Sequence, residues 1–336
     1  MAKIDYNLLY LKAENARTSL KELSNHLKKS PQRLKYSLSV LEKDKVIRDP
    51  YCVFDYSYFG LILFRVYFKG GYISDQDKAN IIKELSNNPY VTSIYELTGE
   101  FDLAVEFASP NPSKFNKELK RISTLTPTLN DYKIVLNVVT YLYPMHYLTN
   151  SQNLHRLNIE RIIGGDRERE SFNDNEMNLI KNMLLNPTMN FTDLAAKSDL
   201  NIKTVKSILK NLKKRNIIKS FKYIIDTNSL GINKFRLFLK LHNLSVEREA
   251  QLMGYMLNTK EIIQVNKTVG DWDMELDIEA PDKTRSRYII RQVREEFKDL
   301  IERFNIIEFY TYYKRSFLPQ YLFKEEKKHD KNNRRP

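Results

Sequence analysis

The chain has 336 residues, a net charge of +13 and a single cysteine, Cys52. That length holds more than one domain, each able to bury its own core; the lone thiol excludes an intramolecular disulfide and a cysteine-cluster metal site, and fits a reducing cytoplasm. The positive charge favours an anionic partner, nucleic acid before an anionic membrane surface. No apolar run approaches a membrane span, and the start MAKIDYNLLYLKAEN has neither the apolar run nor the cleavage site of a signal peptide. The histidines are scattered, and no H-E-x-x-H, Walker-type loop or G-x-S-x-G is present, so no catalytic residue, metal or cofactor is expected.

In chain order, Asp5–Ala13 reads as a short helix. Ser19, with Glu22 three residues on, opens a second helix through Leu27 with a capping box. Ser30-Pro31 opens a third, with Ser as N-cap, Pro at the first helical position, and Leu34, Leu38 and Leu41 on the apolar side. The β-rich segment VIRDPYCVFDYSYFG follows and ends in a turn at Gly60. Three short helices, the third polar-faced, and then a strand make a winged helix-turn-helix pattern. A strand at Leu61–Phe68, a helix at Gln76–Ser86 and strands at Val91–Leu97 and Phe101–Phe107 come next, the two strands joined at Gly99-Glu100. A helix at Ser113–Ser123 and a β-branched, aromatic strand at Tyr132–Tyr143 complete the unit. The order βαββαβ predicts a ferredoxin-like sheet with two helices on one face.

The chain then repeats itself. TGEFD at Thr98–Asp102 recurs as VGDWD at Val269–Asp273, an offset of 171 positions. The same offset relates Leu23 to Leu194, Leu41 to Leu212, Asp55 to Asp226, Gly60 to Gly231, Arg65 to Arg236, Pro110 to Pro281 and Tyr141 to Tyr312, without a gap. Helices are expected again at Asn175–Leu185, Thr192–Ala196 and from Asn201, and a strand around Tyr223–Ile225. Phe235–Leu241, Val246–Leu257, Ile262–Val269, Trp272–Glu279, Thr284–Asp299 and Ile306–Tyr313 then repeat strand, helix, strand, strand, helix, strand. Between the copies, Gly164-Gly165 and dense charge read as a linker or a partly helical connector, and KEEKKHDKNNRRP reads as a disordered basic tail.

The expected fold is α+β, with two winged helix-turn-helix domains alternating with two ferredoxin-like βαββαβ domains. SLKELSNHLKKSPQRLKYSLSVLEKDKVI, and a G-x-x-D signature at Gly99 and Asp102 and again at Gly270 and Asp273, resemble the Lrp/AsnC family of transcription regulators. That family joins a helix-turn-helix to an effector (RAM) domain through a hinge strand, usually once per chain. The map that follows is 1–50 winged helix-turn-helix, 51–147 hinge strand and first RAM-like domain, and 148–173 linker. It continues with 174–221 second winged helix-turn-helix, 222–318 second hinge and RAM-like domain, and 319–336 tail. The first copy departs from the family at Leu27-Lys28-Lys29, where a glycine turn usually precedes the recognition helix.

The resemblance implies a sequence-specific regulator of transcription that binds double-stranded DNA in the cytoplasm, of a kind often controlled by an amino acid at the RAM domains. It also implies that the two copies pack their effector sheets face to face, a pseudo-dimer within one chain, with further self-association of whole chains compatible. Two alternatives accompany it: an architectural chromatin protein without effector, and an enzyme resembling the haem-pathway (siroheme) decarboxylases, also built from two such units. The enzyme would need His and Arg converging on a pocket, and no histidine occupies equivalent positions of the two copies.

The candidate DNA-binding residues lie on the two recognition helices. In NIKTVKSILKNLKKRNII, Ile202, Val205, Ile208, Leu209 and Leu212 fall on one arc and Lys203, Lys206, Ser207, Lys210 and Lys214 on the other, with Thr204 beside them and Asn201 as N-cap. The first helix presents Gln32, Lys35, Tyr36, Ser39 and Lys43, with Arg33 adjacent. Leu27–Tyr51 holds seven Lys/Arg against three Asp/Glu, net +4; Ser198–Lys222 holds eight against one, net +7. Gln and Arg suit base edges and a lysine face suits phosphates, so base reading is expected of the first copy and salt-sensitive affinity of the second. An ordinary solvated basic face is the plainer account of either helix. Gly99, Asp102, Gly270 and Asp273 are the effector-site candidates, although a two-residue hairpin turn explains the glycines without a ligand. On Trp272–Glu279, Asp273, Glu275, Asp277 and Glu279 share one face, and Lys234, Arg236, Lys240 and His242 alternate on the neighbouring strand, so cross-strand ion pairs are expected, the alternatives being a polar site for an amine-bearing effector or a charged interface with the other copy.

Overall fold

The computed structural model describes residues 4–70, 74–125, 129–243 and 245–323. Each copy starts with three helices: α1 (Tyr6–Glu14), α2 (Leu20–Leu27) and α3 (Pro31–Lys43) in the first. Serine caps set two of them. Ser19 and Glu22 form the reciprocal capping box, and the Ser30 side chain accepts from the Arg33 amide ahead of Pro31. The turn before α3 needs no glycine. Lys28 adopts φ 53°, its counterpart Asp199 adopts φ 52°, and Lys45 and Asn216 repeat the conformation at 54° and 60°. A left-handed non-glycine costs about 1–2 kcal/mol, which the surrounding packing must offset.

The strand after each recognition helix does not fold back on its own unit. β1 (Ile47–Phe54) pairs antiparallel with β7 (Ile218–Ile225) of the other copy, as Cys52 opposite Phe221 shows. Both ends close symmetrically: the Asp55 amide donates to Ile217 and the Asp226 amide to Val46. The boundaries drawn at 50/51 and 221/222 therefore fall inside single strands. α1 packs on β7, and α7 (Asp174–Leu185) packs on β1. With α8 (Phe191–Ser198) and α9 (Ile202–Lys214), the two winged units share one apolar core that includes Leu8, Leu34, Leu179, Leu194 and Leu209.

The remaining strands of the first copy are β2 (Ile62–Phe68), β3 (Val91–Thr98), β4 (Leu103–Ser109) and β5 (Tyr132–Leu142), with helices α4 (Asp75–Asn87) and α5 (Pro112–Leu125). The second copy supplies β8 (Asn233–Leu241), β9 (Ile262–Val269), β10 (Met274–Ala280) and β11 (Ile301–Arg315), with α10 (Val246–Asn258) and α11 (Lys283–Glu296). The two sheets face each other and are also zipped at both edges, β3 to β11 and β5 to β9. The order β2-β4-β3-β11-β8-β10-β9-β5, closed by β5 on β2, makes an antiparallel barrel that leaves no free edge in that ring. Helices cover the outside. Phe64, Val66, Val105 and Phe107 meet Phe115 and Leu119 of α5, and Leu237, Leu276 and Ile278 meet Ile289 and Val293 of α11. Each such side chain contributes about 1.5–3 kcal/mol when fully buried.

Three expectations need correction. The hairpin loops are four residues long, since β3 ends at Thr98 and β4 begins at Leu103; Asp102, Trp272 and Asp273 lie in loops. Trp272 accordingly packs inside the barrel end with Phe238 and Ile307 instead of with Met274 on the helix side. Within residues 148–173 the helical alternative has its counterpart in α6 (Gln152–His155), but the unexpected β6 (Arg161–Gly164) follows and extends the sheet along β5. Gly164 has φ 84°, its amide donates to Asp55, and a Cβ there would stand 2.7 Å from the Tyr56 hydroxyl. At the other end, Tyr321 stacks on Tyr90 at 4.2 Å, so the segment assigned to the tail starts as packed structure; residues 324–336 lie outside the described residues.

Candidate nucleic-acid interface

Both recognition helices turn their basic faces to solvent. On α3, Leu34 and Leu41 are buried, whereas Gln32, Arg33, Lys35, Tyr36, Ser39 and Lys43 are exposed. Tyr36 is 70% exposed, unusual for an aromatic ring held on a rigid helix. On α9, Val205, Leu209 and Leu212 are buried; Lys203, Lys206, Ser207, Lys210 and Lys214 are exposed and Thr204 is half-buried. The Asn201 side chain caps this helix by accepting from the Thr204 amide at 2.8 Å. Ile202, placed on the apolar arc by periodicity, is 40% exposed because it sits in the first turn.

The second unit carries a feature that helix periodicity does not reveal. Arg17, from the α1–α2 loop of the first copy, reaches across and donates to the carbonyls of Pro187 and Met189, both at 2.8 Å. Its guanidinium lies 5.2 Å from the Phe191 ring and 5.3 Å from the Phe221 ring. Lys206 lies over Phe191 at 5.4 Å and Lys213 over Phe221 at 5.3 Å. Burial pulls Arg17 below its ordinary range. The counterpart of Arg17 is Thr188, so this tie is one-sided and only the three-dimensional pairing exposes it.

The four effector candidates have structural partners. Asp102 accepts from the Gly70 amide, and Asp273 accepts from the Leu241 amide at 2.8 Å and from Lys240 at 2.9 Å. Each carboxylate thus holds the end of a neighbouring strand, β2 for Asp102 and β8 for Asp273. Gly99 and Gly270 have φ 130° and 147°, in the region that favours glycine. A Cβ on Gly99 would meet Ile307 at 3.5 Å, and one on Gly270 would meet the Ile134 carbonyl at 3.1 Å, each on the other copy. The glycines let the two hairpins approach the seam strands.

The barrel interior is polar. Arg65 bonds Glu106 and, across the copies, Glu275; Arg236 bonds Asp277 at 2.6 Å and the Tyr67 hydroxyl at 2.8 Å; Lys234 pairs with Glu279 at 2.9 Å. Cross-strand pairing thus accounts for Asp273, Asp277 and Glu279 as expected. Glu275 stands opposite Phe238 and takes its partner from the other copy. Burial pushes the Glu106 and Asp277 carboxyls up, but Arg65 and Arg236 outweigh it and hold both below the ordinary range. The free space near Arg65 is about 20 Å³. Glu14 is a second buried anchor, accepting from Lys222, Arg161 and the Met145 amide and so joining α1, β7 and β6. His146 and His155 stack at 4.2 Å beside Tyr10, away from the barrel. Among the described residues no group of three or more His, Cys, Asp or Glu is placed to hold a metal, and no helix is long and apolar enough to cross a membrane.

Residues 1–48 and 172–219 each match the family model for winged helix-turn-helix DNA-binding. An uncharacterized HTH-type transcriptional regulator of Pyrococcus horikoshii is 29% identical over 112 residues, 33% of this chain and 74% of that protein. The crystal structure of the siroheme decarboxylase NirDL, in co-complex with an iron-uroporphyrin III analogue, aligns over 95% of this chain and 97% of its own. Its TM-score is 0.55 at 14% identity, a likeness of fold. An AsnC family transcriptional regulator from Agrobacterium tumefaciens aligns with 42% of this chain and 89% of its own, at TM-score 0.36 and 13% identity.

Proposed function

We propose that this tandem winged helix-turn-helix regulator of the Lrp/AsnC type binds one asymmetric site on double-stranded DNA, using both units at once, and acts in the cytoplasm. The observation that carries the reading is the β1–β7 ribbon, which fixes two unequal recognition helices on one shared core. A homodimer presents identical helices and favours a palindrome. Here Gln32 and Arg33 suit base edges, while Lys203, Lys206 and Lys210 suit phosphates, so the two half-sites differ in sequence and in salt sensitivity. The closed barrel acts as a built-in dimer. Amino-acid control belongs to this reading through the family resemblance; Asp102 and Asp273 take part in it only by exchanging their backbone amides for a ligand amine.

The test is selection from random duplexes followed by footprinting and a salt titration. An asymmetric consensus is expected, and Lys203→Ala with Lys206→Ala should reduce the salt slope by up to ~1.8. A palindromic consensus, or an unchanged slope, would sink the proposal. Equal affinity for selected and random DNA would favour an architectural role. Adding single amino acids to the binding assay tests effector control.

The fold likeness to a siroheme decarboxylase favours a second reading, an enzyme acting on a tetrapyrrole. The paired charges that fill the barrel argue against a tetrapyrrole beside Arg65, where about 20 Å³ remains, whereas drug-sized ligands occupy roughly 300–1,000 Å³; a separate cavity of about 540 Å³ between Phe59, Arg169, Phe172 and Leu322 is large enough but has no histidine in its lining. A titration with iron-uroporphyrin followed by absorbance separates the two.

A further inference from the structure

The end of the 148–173 connector walls a cleft of about 540 Å³, a size that suits a small ligand. Its apolar lining is Phe59 ahead of β2, Phe172 of the connector, Met177 of α7 and Leu322. The Phe59 and Phe172 rings stack with centroids 4.5 Å apart, and Met177 adds a thioether, a lining suited to an aromatic ring. Two charges share the lining, Glu170 and Arg169. Glu170 is taken, since Arg215 bonds it through two nitrogens, Nε at 2.7 Å. Arg169 has no hydrogen-bond or ion-pair partner among the described residues. Its stem lies across Gly60, where an added Cβ would stand 3.1 Å from the arginine Cδ, whereas the counterpart Gly231 has nothing within 4 Å. Gly60 thus makes room for this arginine.

The same wall reaches recognition helix α9. Arg215, the C-cap of α9, bonds Glu170, the Ser171 carbonyl at 3.2 Å and Glu176 of α7 at 2.6 Å. Its guanidinium lies 5.4 Å from the Phe172 ring. Phe172 therefore touches both Phe59 in the cleft and the end of α9. The connector runs once along the chain, and the counterparts of Phe59 and Met177 are Leu230 and Tyr6, so the repeat supplies no second cleft with this lining.

We propose that this cleft binds a small aromatic monocarboxylate, its ring against Phe59 and Phe172 and its carboxylate on the Arg169 guanidinium, and that occupancy raises DNA affinity through the Arg215 tie to α9. The regulatory half rests on the DNA-binding reading above; the binding half stands without it. A planar guanidinium receives a carboxylate through two parallel bonds, which an amide of the same shape cannot match. A ring seated on Phe172 holds the contact to Arg215 and so the end of α9. By linkage, DNA tightens ligand binding by the same factor as the ligand tightens DNA.

3-Phenylpropionate is the probe and 3-phenylpropanamide the control, each titrated into the full chain by calorimetry. The acid should bind roughly tenfold more tightly than the amide, and Arg169→Met, an exposed change, should abolish that preference. Saturating acid should raise affinity for the selected duplex about fivefold in the wild type and not in Arg169→Met. No binding of the acid, equal binding of acid and amide, or a preference that survives Arg169→Met overturns the site. Acid that binds as expected but leaves DNA affinity unchanged overturns the regulation. A chain that binds no duplex refutes the DNA-binding reading and the regulation with it, and the calorimetry then decides the cleft alone.

Discussion

Replacing Glu275 should separate the copies energetically more than any other single change in the barrel. Its side chain is fully buried and accepts from Arg65, from the Tyr67 hydroxyl at 2.7 Å and from Asn266 at 3.2 Å, with Arg236 3.8 Å away. Arg65 and Tyr67 belong to the first copy, Asn266 and Arg236 to the second. Glu275→Ala leaves two buried guanidinium groups short of a counter-charge, a loss of about 3–5 kcal/mol for a broken buried pair. For a chain of this size that lowers Tm by roughly 5–10 °C. The assay is urea unfolding of wild type, Glu275→Ala, Arg65→Met and the double variant. Because Arg65 also serves Glu106, the single changes should not add: a coupling of about 2 kcal/mol is expected. A loss below about 1 kcal/mol with additive single variants would show that the pair contributes nothing to the seam.

Burial holds the Lys314 ammonium down at about 8, against an ordinary 10.5. The unfolded chain then binds more protons between those values, so stability rises with pH across that window. Lys314→Met should remove this slope and add about 1–2 kcal/mol at pH 7, read by denaturation from pH 7 to 10. Gly164→Ala forces a Cβ to within 2.7 Å of the Tyr56 hydroxyl and 2.9 Å of the Val138 carbonyl, and should cost about 2–3 kcal/mol in urea unfolding. Gln32→Ala or Arg33→Ala should relax base preference in the first half-site by about 1–3 kcal/mol per lost bidentate contact, measured on single-base variants of the selected site. An unchanged preference in both would move base reading to the second unit.

The repeat carried the fold because each copy states its own alternation and caps. Ser19, Ser30 and Asn201 cap the helices they precede, and Lys234, Arg236 and Lys240 meet Glu279, Asp277 and Asp273 within the second copy. These are contacts within one unit, set by periods of 3.6 and 2. What stayed hidden are contacts between units. Glu275 differs from its counterpart Ala104, and Phe238 from Tyr67, yet nothing local says that Arg65 is the missing partner. Gly164-Gly165 has the composition of a linker, and only the neighbouring Tyr56 shows that the first glycine is needed for close approach.

The same asymmetry bears on function. Inside the barrel the first copy supplies Arg65 and Glu106, while the second adds Lys234, Glu279 and Glu275 to the equivalent pair Arg236 and Asp277. In a second-copy unit paired with itself, the equivalent Arg236 would stand where Arg65 does and meet Glu275. A first-copy unit paired with itself would lack the carboxylate that spans its two Arg65 groups. The asymmetry at this seam is therefore one-sided: the first copy has Ala104 where the second has Glu275. The β1–β7 ribbon holds the two unlike recognition helices together in one chain, one bearing Gln32 and Arg33 and the other a lysine face.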